Sequence, residues 1–138
     1  MKSSDQNQRG ASAVEFAIIA PLFIAMLFAI VEFGLIIYAK GMLTHASREG
    51  ARFGVIYAEP KRTQTEIQAK VREYLDQVGL TSDATVEVIG AGGLSKANLS
   101  VTVRYTYQFF VLPRNINDYL AGRMPDLNLT ATSVMQME

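Results

Sequence analysis

The feature that most constrains this chain is an apolar run near its N-terminus. From Phe16 to Tyr38 the only charged residue is Glu32. As an α-helix the run would be about 34 Å long at roughly 1.5 Å per residue, which is enough to cross a bilayer core of about 30 Å. The run therefore predicts one transmembrane helix, which we place at residues 11–39.

A short polar segment, residues 1–10, precedes the run and carries Lys2 and Arg9 against Asp5. Positive residues beside a membrane helix tend to stay in the cytoplasm, so we expect the N-terminus to be cytoplasmic, although basic residues also follow the run. A secretory signal peptide is the nearest alternative. It requires a shorter apolar region and a small-residue cleavage site, and Tyr38–Gly41 is a poor one.

Composition excludes several classes of function. The 138 residues include 13 basic and 13 acidic side chains, so net charge favours neither nucleic acid nor an acidic partner. The chain has no cysteine, which removes disulfides, thiol catalysis and thiolate metal sites together. About a hundred residues remain after the apolar run, enough for one small domain, which we place at residues 40–138.

Small residues recur at every fourth position of the apolar run. They are Ala13, Ala17, Pro21, Ala25 and Ala29. Such spacing lets helices approach closely in lipid, so these residues are candidates for helix packing in the membrane, although alanine is also a common helix filler. The ring of Pro21 removes one backbone donor, so we expect a kink or local unwinding there.

The helical pattern continues beyond the apolar run. Nothing strongly helix-breaking follows Tyr38, and Pro60 is the first clear stop. We therefore predict one long helix from about residue 11 to 58, with the segment 40–58 continuous with the membrane helix. A second set of small residues, spaced by four, is expected to contact whatever packs on this outer segment: Ala46, Gly50, Gly54 and Ala58.

The remainder predicts one helix and three strands. Thr63 and Glu66 have the spacing of a capping box, and an apolar face with period 3.6 predicts a helix over 63–78. Alternating patterns predict strands over about 84–89, 97–110 and 127–137, the first two joined by the turn Gly90–Gly93. Residues 114–125 are expected to form a loop, with one helical turn near 118–121. The fold class is α+β, with helices covering one face of a three-stranded antiparallel sheet.

The sequence offers no constellation for catalysis or for a cofactor. His45 is the only histidine, and no second base or metal ligand lies at a motif spacing from it in the sequence. We therefore expect no catalytic or metal role for it and no enzyme activity. Gly90–Gly93 opens a strand rather than a helix, which favours a hairpin turn over a phosphate loop. We therefore expect no small-molecule substrate and no cofactor.

Two carboxylates of the apolar segment are functional candidates. Glu15 lies at its start and Glu32 lies deep within it. A charge at the centre of a membrane helix costs roughly 2.5–3.5 kcal/mol on insertion scales, so such residues need a reason. Glu15 could simply mark the membrane edge. Glu32 could reach outward, take a proton, or pair with a basic residue of a partner, and its role stays open.

The chain resembles the TadE-like pseudopilins of the tight-adherence pilus system, which have type IV prepilin-like N-termini. The stretch from Gly10 through Glu15 to Phe16 is similar to a prepilin cleavage site. The wider resemblance covers these segments: Arg9–Ala17, Pro21–Leu22, Glu32–Gly34, Ala46–Arg52, Arg104–Tyr107 and Leu129–Met135. Together they span nearly the whole chain.

The resemblance implies a non-enzymatic minor pilin or pseudopilin of the bacterial inner membrane, with its C-terminal domain in the periplasm or outside the cell. It implies that a prepilin peptidase cuts between Gly10 and Ala11. The new amine of Ala11 would then pair with Glu15, the assembly carboxylate, either of a neighbouring subunit or of its own chain. Implied partners are membrane lipid, the peptidase, other pilins or pseudopilins and the assembly platform, in a system for cell adhesion and biofilm formation.

Two alternatives stay open. The protein could itself polymerise as a filament subunit, or it could be an uncut single-pass anchor or adaptor with an outer binding module. No role is implied for Arg48 or Arg52, and organism, envelope type and partner pilins do not follow from the sequence.

Overall fold

The computed structural model describes residues 4–56, 59–93, 96–110 and 127–137, with side chains from Ser12 onward. It contains two helices and three strands in the order α1, α2, β1, β2, β3. Their bounds are α1 Ser4–Val55, α2 Gln64–Gln77, β1 Ala84–Ile89, β2 Asn98–Tyr107 and β3 Leu127–Gln136. The predicted α+β class, with its long first helix and three-stranded antiparallel sheet, is confirmed.

Helix α1 is longer at its N-terminus than the pattern predicted. It begins at Ser4 rather than near Ala11, because Gly10 alone costs only about 1 kcal/mol in a helix and the rest of the polar segment is compatible with one. It passes through Pro21 without a break, so the expected local unwinding is not observed. It ends at Val55, and the predicted last residue, Ala58, lies outside the described residues.

The chain divides into two compact units, residues 1–35 and 36–138. The first unit is helical from Ser4 onward. The second contains the rest of α1, helix α2 and the sheet. The predicted loop at 114–125 and its helical turn lie outside the described residues.

Helix α2 begins where its capping box predicts. The Thr63 hydroxyl accepts a hydrogen bond from the Glu66 backbone at 3.3 Å, and the Thr63 backbone N–H donates to the Glu66 carboxylate at 2.8 Å. These two bonds satisfy donors that a helix start leaves unpaired. The helix buries one face, carried by Ile67, Val71 and Leu75.

The sheet is an antiparallel meander in the order β1-β2-β3. The turn between β1 and β2 is glycine-rich because its backbone demands it: Gly90 has φ +89° and Gly92 has φ +68°, in the left-handed region. A Cβ at Gly90 would also collide with the Asn98 carbonyl. Strand β2 ends at Tyr107 rather than at residue 110, and its last described pair joins Tyr107 to Leu127 of β3.

The core of the second unit lies between the apolar face of the sheet and the two helices. Its fully buried side chains include Leu43 of α1, Ile67 and Leu75 of α2, and Leu99 and Val101 of β2. Two glycines of α1 make this packing close. A Cβ at Gly50 would overlap Val71, and one at Gly54 would overlap Leu99 and lie 2.7 Å from Ile67. The small residues predicted to form a contact line here do so as far as Gly54.

Candidate processing and assembly site

The predicted cleavage residues lie in the first part of α1. Gly10 and Ala11 both have helical backbone, and the helix runs on without interruption to Glu15. Residues one turn apart on a helix face the same side, with about 5–6 Å between their Cβ atoms. A chain beginning at Ala11 would therefore place its terminal amine on the same side of the helix as Glu15, within about one turn.

Glu15 is exposed, as are its neighbours Val14 and Phe16, at 61% and 72%. The carboxylate is therefore accessible to a group of its own chain or to one of a neighbouring subunit. Neither the cleavage nor the pairing is tested by this geometry, so both stay predictions.

The rest of the first unit presents apolar side chains to its surroundings. Every residue from Ser12 to Leu35 is exposed except the half-buried Ala20 and the buried Glu32. The exposed fraction reaches 73% at Leu22 and 72% at Phe16. A helix that is apolar on all sides is stable only inside a membrane or a protein assembly. By length and composition, this segment indicates a single-pass membrane protein.

All members of the predicted packing ladder are exposed: Ala13, Ala17, Pro21, Ala25 and Ala29. Residues four apart form a ridge inclined by about 26° to the helix axis, so the ladder winds around α1 rather than lying along one face. A straight partner helix that crosses α1 would contact only part of this ridge. Its role in packing stays a prediction.

Glu32 differs from every other described carboxylate, because it is only 6% exposed. It also takes part in an interaction and is not a free charge. Which of the three roles considered from the sequence it has stays open. Sequence pattern alone could not have shown this burial, since Glu32 is flanked on both sides by exposed apolar residues.

A polar cleft of about 330 Å³ lies in the second unit, between α1 and α2. It is lined by His45, Glu49, Lys70, Glu73, Tyr74 and Gln77. Its carboxylates are already paired: Glu49 accepts from Arg52 at 3.0 Å and Glu73 accepts from Lys70 at 2.9 Å. The hydrogen bond from Arg52 lowers the pKa of Glu49. Sequence reasoning did not find this cleft, because its residues come from helices that are distant in the chain.

Among the described residues, no group of three or more His, Cys, Asp or Glu side chains is placed to hold a metal ion. His45 itself is exposed on α1. The cleft is a polar groove between two helices, and each of its two ion pairs joins residues of the same helix.

One buried polar contact ties α1 to the sheet. The Ser47 hydroxyl is fully buried and lies 2.9 Å from the Ser133 hydroxyl of β3. The Ser47 hydroxyl also donates to the Thr44 carbonyl at 3.0 Å, so Ser133 is the donor in the bond between the two serines. These bonds satisfy a polar group in the core and place α1 at a defined position along β3.

Residues 10–52 match the profile of a family described as TadE-like protein. The match covers about a third of the chain, starts at the predicted cleavage glycine and includes Glu15, Glu32 and Arg48–Arg52. It confirms the resemblance for this segment and associates it with tight-adherence pilus systems, whereas Arg104–Tyr107 and Leu129–Met135 of the wider resemblance lie outside the match. Searches among curated proteins and among solved structures return no significant match.

Proposed function

We propose that this TadE-like protein is a minor pilin or pseudopilin that takes part in assembling or priming a tight-adherence pilus. The observation that carries the proposal is the coincidence of two features on one helix. The family match begins at Gly10, and the helix that follows exposes apolar side chains on nearly all sides. Such a helix requires lipid before assembly and other apolar helices after it.

The first step of the proposal is cleavage after Gly10 by a prepilin peptidase. Intact mass of the chain purified from a host that carries the tight-adherence system tests it. A mature chain beginning at Ala11 is expected, and Gly10→Val should leave the leader attached. A wild-type chain that still begins at Met1 would contradict the proposal and favour an uncut membrane anchor.

The second step is pairing of the new amine with Glu15. The pairing converts two charges at the membrane edge into one neutral contact, which lowers the cost of inserting both. Glu15→Gln should permit cleavage yet reduce pilus assembly, measured as surface pilin per cell. Normal pilus output from a correctly processed Glu15→Gln chain would remove Glu15 from the mechanism.

The proposed location is the bacterial inner membrane, with the N-terminus in the cytoplasm and residues 40–138 outside it. The orientation can be measured by cysteine labelling, because the chain has no native cysteine and a single introduced thiol is the only one that reacts. Thr85→Cys, at an exposed position of strand β1, should react with a membrane-impermeant maleimide in cells whose outer membrane or cell wall has been permeabilised. Reaction only after the inner membrane is lysed would reverse the orientation.

Abundance distinguishes a minor component from a main filament subunit. Sheared pili analysed by mass spectrometry should contain few or no copies of this chain relative to the principal pilin. Copy numbers equal to the principal subunit would favour the filament-forming alternative. We propose no enzymatic step, so His45→Ala is expected to leave pilus output unchanged. Loss of pili from this variant at normal protein levels would favour an enzymatic role.

A further inference from the structure

The outer part of α1 and strand β3 lie side by side in the second unit. Their alignment is shown by three contacts, from Lys40 to Thr130, from Ser47 to Ser133 and from Gly54 to Leu99, the sheet partner of Met135. From the first contact to the third, α1 advances about 21 Å and β3 advances about 17 Å. Both advance in the same direction along the chain, so α1 and β3 are roughly parallel.

This alignment brings one end of the sheet to the outer end of the apolar run. The second unit begins at residue 36, so it contains the last residues of that run, Ile36–Tyr38. Strand β3 begins at Leu127, which is about 20 Å along the strand from Ser133. The same distance along α1 leads from Ser47 back beyond residue 38. Leu127 and its partner Tyr107 therefore reach at least the level of Ile36–Tyr38.

The chain that leaves β2 at this end is aromatic and uncharged. Phe109 and Phe110 follow the strand, and residues 105–113 include no charged side chain. The Phe110 side chain is 82% exposed, and those of Ile37 and Tyr38 are 57% and 52% exposed. We name these four residues, Ile37, Tyr38, Phe109 and Phe110, the apolar end of the second unit.

Contacts within the second unit hold Phe109 and Phe110 in place. The Gln108 amide donates a hydrogen bond to the Asp83 carboxylate, just before β1, at 3.0 Å. The Phe109 ring meets the Tyr107 ring edge-on, with 5.7 Å between the ring centroids, and it also packs against the core. Phe110 therefore follows an anchored segment, and its exposure is a property of the folded unit.

We propose that the apolar end of the second unit rests on the surface of the lipid bilayer that α1 crosses. The proposal depends on the membrane placement of α1, and it does not depend on cleavage or on pilus assembly. Exposed aromatic and aliphatic side chains are stabilised where headgroups meet acyl chains. Lys40 is the first charged residue after the apolar run, and a lysine at this position keeps its amine at the membrane surface.

Lipid is the occupant that the neighbouring side chains predict. Ile37 and Tyr38 belong to the apolar run, so the surface around them is that of the membrane. Phe109 and Phe110 lie at the same end of the second unit, so they reach the same surface. A second lipid contact beside α1 would limit how far the second unit can tilt on the membrane.

A single introduced tryptophan tests the contact, because the chain has no native tryptophan. Full-length Phe110→Trp is placed in phosphatidylcholine vesicles whose acyl chains carry bromine near the headgroup in both leaflets. Bromine quenches tryptophan fluorescence only on close approach, and the zwitterionic lipid excludes attraction by net charge. Tyr38→Trp is the positive reference. Ile89→Trp is the matched control, since Ile89 is 61% exposed and its partner Ser100 is about 24 Å along β2 from Tyr107.

We expect brominated lipid to quench Phe110→Trp several-fold more than Ile89→Trp and nearly as much as Tyr38→Trp. Acrylamide in the water should quench the three variants in the opposite order. All three replaced side chains are exposed, so circular dichroism of each variant should match that of the wild type.

Two outcomes would overturn the proposal, and they can be told apart. If Tyr38→Trp is quenched but Phe110→Trp is quenched no more than Ile89→Trp, the apolar end does not contact lipid. If none of the three is quenched, α1 does not cross the bilayer, and the membrane placement fails as well. The vesicles contain no peptidase and no other pilin, so a failure of the proposed cleavage or assembly cannot change either result.

Discussion

The two parts of α1 share one helical backbone and have opposite patterns of exposure. In residues 12–35 apolar side chains point outward, and Leu22 is 73% exposed. In residues 36–55 one stripe of such side chains is buried, and Leu43 has no exposed surface, whereas Ile37 and Tyr38 stay exposed. The contrast teaches that helical periodicity alone does not determine what a helix packs against. The width of the apolar surface determines it. A helix that is apolar on all sides requires lipid or several protein partners, whereas a helix with one apolar stripe can bury that stripe against a single sheet.

Small residues also serve the two parts differently. Nothing lies within 4 Å of a Cβ placed at Gly34, so that position has open space. At Gly54, twenty positions later, the same Cβ would overlap Leu99 and lie 2.7 Å from Ile67. One glycine leaves room for a partner outside this chain, and the other is already in contact with the sheet.

The largest expected effect comes from truncating a buried leucine of the outer part. Leu43→Ala should lower the free energy of unfolding of the second unit by about 2–5 kcal/mol, because it leaves a cavity under the sheet. Tyrosine fluorescence of the detergent-solubilised full chain in denaturant would measure it. Leu22→Ala in the first part is the control and should leave this transition unchanged. If both variants lowered the free energy of unfolding equally, the two parts of α1 would not differ in what they stabilise.

Glycine-to-alanine substitutions should change stability in opposite directions in the two parts of α1. Gly54→Ala should destabilise the second unit by about 1–3 kcal/mol through overpacking against Ile67 and Leu99. Gly34→Ala should instead favour the helix by up to about 1 kcal/mol, since alanine is the better helix former and meets no neighbour. Thermal unfolding of both variants by circular dichroism checks the signs, and a stabilising Gly54→Ala would contradict the close packing described.

A smaller effect is expected at the buried serine pair. Ser47→Ala should cost about 1–2 kcal/mol, because it removes the partner of the half-buried Ser133 hydroxyl. The double variant with Ser133→Ala should cost less than the sum of the two single variants, which a double-mutant cycle in denaturant would measure. Additive losses would show that the two hydroxyls act independently.

The smallest effects belong to the start of α2, far from the apolar part of α1. Thr63→Ala should cost about 1 kcal/mol by removing the capping hydroxyl. The hydrogen bonds from the Thr63 backbone and hydroxyl lower the pKa of Glu66 in the folded chain. Its stabilisation is therefore present above the ordinary carboxyl pKa and is lost as pH falls through the lowered value. Glu66→Gln should remove this part of the acid dependence, and an unchanged pH profile would contradict it.

Several features could be predicted because their causes are local. Thr63 and Glu66 are three residues apart, so the start of α2 is determined by a short stretch of sequence. The turn at Gly90 and Gly92 follows from positive φ, which glycine adopts without strain. The contact line through Gly50 and Gly54 was predictable from spacing, although its partners Val71 and Leu99 were not.

Other features could not be predicted because they depend on tertiary neighbours. The cleft beside His45 needs contacts between elements distant in sequence. The Ser47–Ser133 bond joins residues 86 positions apart, and no local pattern marks either serine. For the same reason the cleavage at Gly10 and the role of Glu15 rest on resemblance and require experiment.

The meander order of the sheet has a consequence for how the chain acquires its structure. Each strand pairs with its neighbour in sequence, β1 with β2 and β2 with β3. Hairpin formation takes microseconds, and folds rich in contacts between sequence neighbours fold quickly. We therefore expect the sheet to form soon after residues 84–137 have been synthesised. The apolar face of the sheet would then stay exposed until the segment of α1 that contains Gly50 and Gly54 packs against it. This segment precedes the sheet in the sequence but would join the fold after it.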